Sequence, residues 1–143
     1  MSHSLDARAS HLTFRLEGQP VPKGSVVALG GGRIRPAAKG YATWQRAAML
    51  TLRSQHTQQN RITPVKHQPV SVAAVFHVTR PKTVKRSHAT VPPDLDKLQR
   101  AVGDLLAQSG VLPDDAQIIS WCTRKVYSSG APYTSLDVTW GDE

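Results

Sequence analysis

The chain has 143 residues and a formal net charge of +8, from 18 Lys and Arg against 10 Asp and Glu, with a hydrophobic share of 39% and a single cysteine. That length suits one globular domain; no stretch reaches the roughly 18 apolar residues of a membrane span, and residues 1–15 lack the apolar run of a secretory signal. Cys122, being alone, can make neither an internal disulfide nor a thiolate zinc site.

Residues 1–10 are short and polar and read as a flexible terminus, with residues 11–143 as the folded domain. Leu12, Phe14 and Leu16 alternate with polar residues, the pattern of a half-buried strand. Two glycines and two prolines in 18–24 stop it, and 25–29 and 33–35, separated by Gly30-Gly31-Gly32, form a predicted hairpin. Trp44, Ala47, Ala48 and Leu52 recur at helical spacing and predict a helix over 39–58. Residues 58–68 read as a loop. Val70, Val72, Ala74, Phe76 and Val78 alternate without a break and mark the clearest strand. Residues 80–93 carry three prolines and four basic residues without apolar periodicity, which makes a long basic loop.

Leu95, Leu98, Val102, Leu105 and Leu106 form the apolar face of a second helix over 94–109, with Gly110 where a C-terminal cap belongs. Pro113-Asp114-Asp115 is a turn, and 117–127 and 133–140 read as strands joined as an antiparallel hairpin. The fold class expected is α+β: a single domain with a mixed, mostly antiparallel sheet and two main helices. Trp44, Trp121 and Trp140 fall in periodic segments and are read as core or dimer contacts, and Cys122 as an inert strand residue.

The charges are segregated along the chain. Residues 1–93 hold 14 basic and 2 acidic residues, whereas residues 94–143 hold 4 basic and 8 acidic ones. A basic body suits a polyanion such as nucleic acid. Acids inside a phosphate-binding protein repel its ligand unless a cation bridges the two. Asp94 and Asp96 open the second helix, Asp96, Arg100 and Asp104 follow one another at i, i+4, i+8, and Asp114 and Asp115 precede the next strand. Carboxylates are the ligands that hard Mg²⁺ prefers, and one or two such ions can activate water and stabilise the leaving oxygen of a phosphodiester. Capping and turn chemistry explain the same residues without any metal. Asp115 can approach the start of the helix only if the following strand runs back beside it.

The run from Asp94 to Leu106, then Gly110, then Asp114-Asp115-Ala116-Gln117-Ile118, resembles the core signature of the RusA family of Holliday-junction resolvases, D-x-D-N-L-x-K-x-x-x-D-x-L followed by a glycine-containing spacer and D-D-x-Q-[VI]. The segment Gly18-Gln19-Pro20-Val21-Pro22-Lys23 is similar to that family's N-terminal G-x-P-x-P-K loop. The resemblance implies a small homodimeric, Mg²⁺-dependent endodeoxyribonuclease that cuts branched DNA such as four-way junctions in recombination and repair. It implies the cytoplasm of a bacterial or phage-infected cell, with no membrane and no small-molecule cofactor. Carried over by position, Asp94, Asp96 and Asp115 match metal-binding catalytic carboxylates, and Arg100 stands where the family has a catalytic Lys. Lys97 replaces the family's Asn. Lys23, Arg33, Arg35, Lys82, Lys85, Arg86 and Lys97 are the expected DNA-binding residues, a phosphate-holding rim. Departures at Lys97 and Arg100 leave an alternative, a catalytically weakened module of the same fold that binds branched DNA.

Overall fold

A computed structural model describes residues 10–22, 26–31, 33–36 and 40–141, with only the backbone of 26–30 and 33–36. Apart from Ser10, the N-terminal stretch read as flexible lies outside the described residues. Among the described residues, six strands and two long helices follow in order: β1 (His11–Glu17), β2 (Val26–Gly30), β3 (Arg33–Pro36), α1 (Tyr41–Gln58), β4 (Val70–Val78), α2 (Leu95–Gln108), β5 (Ile118–Tyr127) and β6 (Tyr133–Trp140), with a one-turn 3₁₀ helix at Asp115–Gln117. The domain is α+β, with a four-stranded sheet in the order β1-β6-β4-β5 and a separate β2-β3 hairpin. β1 pairs antiparallel with β6, β6 antiparallel with β4, and β4 parallel with β5. Neither helix is long and apolar enough to cross a membrane.

β4 holds the centre because its sequence buries best. Val70, Val72, Ala74, Phe76 and Val78 are all fully enclosed on one face, while the residues between them are half-buried. Leu12, Phe14 and Leu16 of β1 and Leu136 and Val138 of β6 continue that layer. Trp44, Ala48 and Leu52 of α1, and Leu98, Ala101, Val102, Leu105 and Leu106 of α2, cover it. Ala47, expected on the inner face of α1, is exposed. Trp44 is buried, and Trp121 and Trp140 pack half-buried against the core.

The expected β5–β6 hairpin is not formed, because β4 lies between the two strands. A parallel neighbour for β4 needs a crossover, and residues 79–94 together with α2 supply it. β5 therefore enters alongside β4 in the same direction, and β6 takes β4's other edge. Residues 128–132 need only step across two strand spacings, about 10 Å. The step passes over the end of β4, where the Ser128 N–H donates to the Val78 carbonyl at 2.8 Å.

The outer edge of β1 is closed by a device with matched spacing. Gln59 and Gln55 each exchange two hydrogen bonds with the strand backbone, Gln59 with Thr13 (3.0 and 2.7 Å) and Gln55 with Arg15 (2.9 and 2.9 Å). Four helical residues rise about 6 Å, close to the roughly 6.7 Å spanned by two strand residues. Two glutamines one turn apart thus meet alternate residues of an antiparallel strand, and backbone groups that would otherwise template aggregation are occupied.

Candidate active site

α2 has two faces set by its sequence. The apolar stripe enters the core, and Asp96, Gln99, Arg100, Gly103 and Asp104 line a shallow cleft of about 330 Å³ on the other side. Its opposite wall is Asp115, Ile118 and Trp121, from the 3₁₀ turn and the start of β5. The cleft exists because β5 runs back along α2. A Cβ added at Gly103 would sit 3.4 Å from Trp121 Cζ2, so the indole already lies against the helix at ordinary contact distance. Further along, Thr123 Oγ1 donates to Gln99 Oε1 at 2.9 Å.

The acids divide between the two ends of this groove. Asp115 adjoins Asp104 and Asp114, and its carboxyl is held above the usual carboxylate range. Partial desolvation is the first cause, even though the residue as a whole is exposed; a hydrogen bond with the Asp114 side chain and the charges of Asp104 and Asp114 add to it. Asp114 also shapes the backbone locally, where its Oδ1 accepts from the Ala116 N–H at 2.9 Å and closes the 3₁₀ turn. Gln117 behind it donates to the Val65 and Gln68 carbonyls at 2.9 and 3.1 Å, anchoring the turn to the loop before β4.

Asp96 lines the cleft from the first turn of α2. Asp94, two residues earlier, does not. It occupies the N-cap position, but its side chain makes no capping hydrogen bond, and its Oδ2 lies 3.5 Å from Lys97 Nζ. Asp94 has an extended backbone (φ −74°, ψ 134°), so it stands before the helical stripe that carries Asp96. Arg100 sits between Asp96 and Asp104, one turn from each, in the cleft itself.

The structure thus brings together Asp96, Arg100 and Asp115 of the residues singled out by sequence, and leaves Asp94 with Lys97 outside the cleft. Lys82, Lys85 and Arg86 are exposed in the loop before α2. Arg86 also braces that loop: its Nε donates to Thr90 Oγ1 at 3.1 Å and its carbonyl accepts from Arg80 Nη2 at 2.8 Å. Lys23 lies outside the described residues, and Arg33 and Arg35 are described only by their backbone in β3. Cys122 is exposed on β5. Gln99 and Trp121 are cleft residues to which sequence reading assigned no such place, and Asp104, set on one stripe with Asp96 and Arg100 by its spacing but given no metal role, lines the cleft too. The i+4 spacing of Asp104 from Arg100 was the available signal; the position of Trp121 depends on how β5 folds back.

The donor chemistry of the cleft fits a hard divalent cation. Asp115 is an acid whose ionised form is penalised by its surroundings, and a cation would relieve that penalty. Among the described residues, no three His, Cys, Asp or Glu side chains gather into a ready-made ligand group. Mg²⁺ usually binds through one or two carboxylates and completes its shell with water and substrate phosphate oxygens.

The model of one protein family, Endodeoxyribonuclease RusA, matches residues 17–139. The match takes in β2 to β5, nearly all of β6, both helices and the whole acidic cleft, and of β1 only Glu17. The chain belongs to the RusA endodeoxyribonuclease family, and this membership supports a nuclease activity. A search of curated proteins found no relative.

Proposed function

We propose that the protein is a Mg²⁺-dependent, structure-selective endodeoxyribonuclease that resolves Holliday junctions and related branched DNA in recombination and repair. The observation that carries this reading is the convergence of Asp96, Arg100, Asp104 and Asp115 on one cleft in a chain of net charge +8. Asp94, Asp96 and Asp115 would supply the metal-binding carboxylates, Asp94 once its contact with Lys97 is released. The bound cation would draw charge from the phosphodiester and make a water acidic enough to attack it. Arg100 binds a non-bridging phosphate oxygen through its planar fork. Lys97, once released, joins Lys82, Lys85 and Arg86, and Lys23, Arg33 and Arg35 from the N-terminal half, in neutralising flanking phosphates. A homodimer would present two equivalent clefts to the two symmetric strands of a four-way junction.

The contact between Asp94 and Lys97 favours a second reading, a catalytically weakened module that binds branched DNA. A nicking assay on a synthetic four-way junction with and without Mg²⁺ separates the two. The nuclease reading expects paired nicks in opposite strands that require Mg²⁺ and vanish in Asp96→Asn. Junction binding with no cleavage at any Mg²⁺ concentration would sink it.

A further inference from the structure

Lys125 ties β5 to the segment just before α2. It follows Trp121 and Thr123 at two-residue steps on the inner face of β5, the face turned to α2, and is half-buried. Its Nζ donates to the Val91 carbonyl at 2.6 Å and to the Pro93 carbonyl at 2.7 Å. These carbonyls lie just before α2, whose amino end carries the positive pole of the helix dipole. A lysine there is electrostatically disfavoured unless its contacts are needed.

The sequence shows why they are. Pro92 and Pro93 have no backbone N–H, so the chain entering Asp94 can be tethered over those two residues only through carbonyl oxygens. The Pro93 carbonyl and the Asp94 N–H belong to one planar peptide unit. An ammonium that clamps the oxygen therefore orients the backbone of Asp94. Together, Trp121 against Gly103, Thr123 on Gln99 and Lys125 on residues 91 and 93 form a ladder from β5 that fixes α2 along its acidic side.

We propose that Lys125 is a positioning residue for the metal-binding acids: it orients the Pro93–Asp94 peptide so that Asp94 can join Asp96 in holding a cation. This rests on the cation site proposed above. Mn²⁺ binding followed by water-proton relaxation gives a readout independent of cleavage. Lys125→Met should weaken Mn²⁺ binding by about 10–100-fold, the usual effect of losing an outer-shell partner, and Lys125→Arg, which keeps the donors, should recover most of it. In cleavage assays Lys125→Met should raise the Mg²⁺ concentration for half-maximal rate, with the rate at saturating Mg²⁺ returning towards wild type. A merely structural role would lower the melting temperature without moving that midpoint.

A folded Lys125→Met protein with wild-type Mn²⁺ affinity overturns the proposal. Should that variant not fold, ¹⁵N spectra of the wild-type lysine ammonium groups decide: the Lys125 resonance should move with the Asp94 amide as Mg²⁺ is added, and a stationary resonance overturns the idea. Asp96→Asn tells this failure apart from failure of the site itself. If its Mn²⁺ affinity equals that of wild type, the cation site is wrong and the role of Lys125 falls with it; if it is lost while Lys125→Met binds normally, only Lys125 is misassigned.

Discussion

Asp104 and Asp115, one on α2 and one at the turn into β5, are held near enough for the charge of the first to disfavour ionisation of the second. The raised carboxyl binds its proton more tightly in the folded than in the unfolded chain. Its contribution to stability is therefore complete below the ordinary value of 3.8 and is lost as pH rises through the raised folded value. Asp115→Asn should accordingly raise the melting temperature of the metal-free protein at pH 7 and leave it unchanged near pH 3, as measured by circular dichroism. Equal effects at both pH values would contradict this origin.

Divalent cation should reverse that penalty. Mg²⁺ at a hundred times its Kd should stabilise the wild type by about 2.7 kcal/mol, read as an upward shift in the thermal melt. Asp115→Asn and Asp96→Asn should show little of that shift. A wild-type melt insensitive to Mg²⁺ would remove the cation from the cleft.

Arg100 is placed to stabilise phosphate charge, not to hold the fold, since it is exposed and lines the cleft. Arg100→Ala should lower the cleavage rate by about 10²–10³-fold, the range for removal of one preorganised donor, with an unchanged melting temperature. Arg100→Lys should retain part of the rate. Single-turnover cleavage of a four-way junction at saturating protein checks both, and a wild-type rate in Arg100→Ala would exclude it from the chemistry.

The exposed basic loop makes affinity a function of salt. Each of Lys82 and Lys85 that meets a phosphate of duplex DNA should contribute about 0.9 to the slope of log K against log salt. Fluorescence anisotropy titrations of Lys82→Ala and Lys85→Ala between about 50 and 200 mM NaCl should show that reduction, and identical slopes would place these side chains away from the DNA.

At the sheet edge, replacing Gln55 and Gln59 together by Ala should destabilise the domain by roughly 1–3 kcal/mol, given about 1 kcal/mol net per hydrogen bond with water partly replacing the lost partners. The bared β1 edge should also raise aggregation on heating. Denaturant melts and light scattering report the two effects separately, and unchanged values in both would show that the amides merely rest on the strand.

Strict alternation in β4 and β1, and helical spacing in Trp44, Ala48 and Leu52 and in Leu98, Val102 and Leu105, made the elements legible, because burial selects side chains with the period of the backbone that carries them. The strand from Val70 to Val78 and the strand from Tyr133 to Trp140 have the expected ends. Pairing was less legible. A short turn between two strands usually signals a hairpin, yet β4 competes for both β5 and β6, and buries more by accepting one on each edge than by standing at the rim.

By itself, the sequence determined the α+β class, the segregation of basic and acidic halves, and the family, since the signature from Asp94 to Ile118 carries its own spacing. Only the tertiary structure decided which acids face one another. Spacing along α2 places Asp96, Arg100 and Asp104 on one stripe, but nothing local brings Asp115 to them. That follows from the crossover, which lays β5 back along α2, seats Trp121 against Gly103 and sets Asp115 beside Asp104, while Asp94, extended at the N-cap, contacts Lys97. Contacts between residues distant in sequence arise from packing of whole elements, which no window of sequence contains.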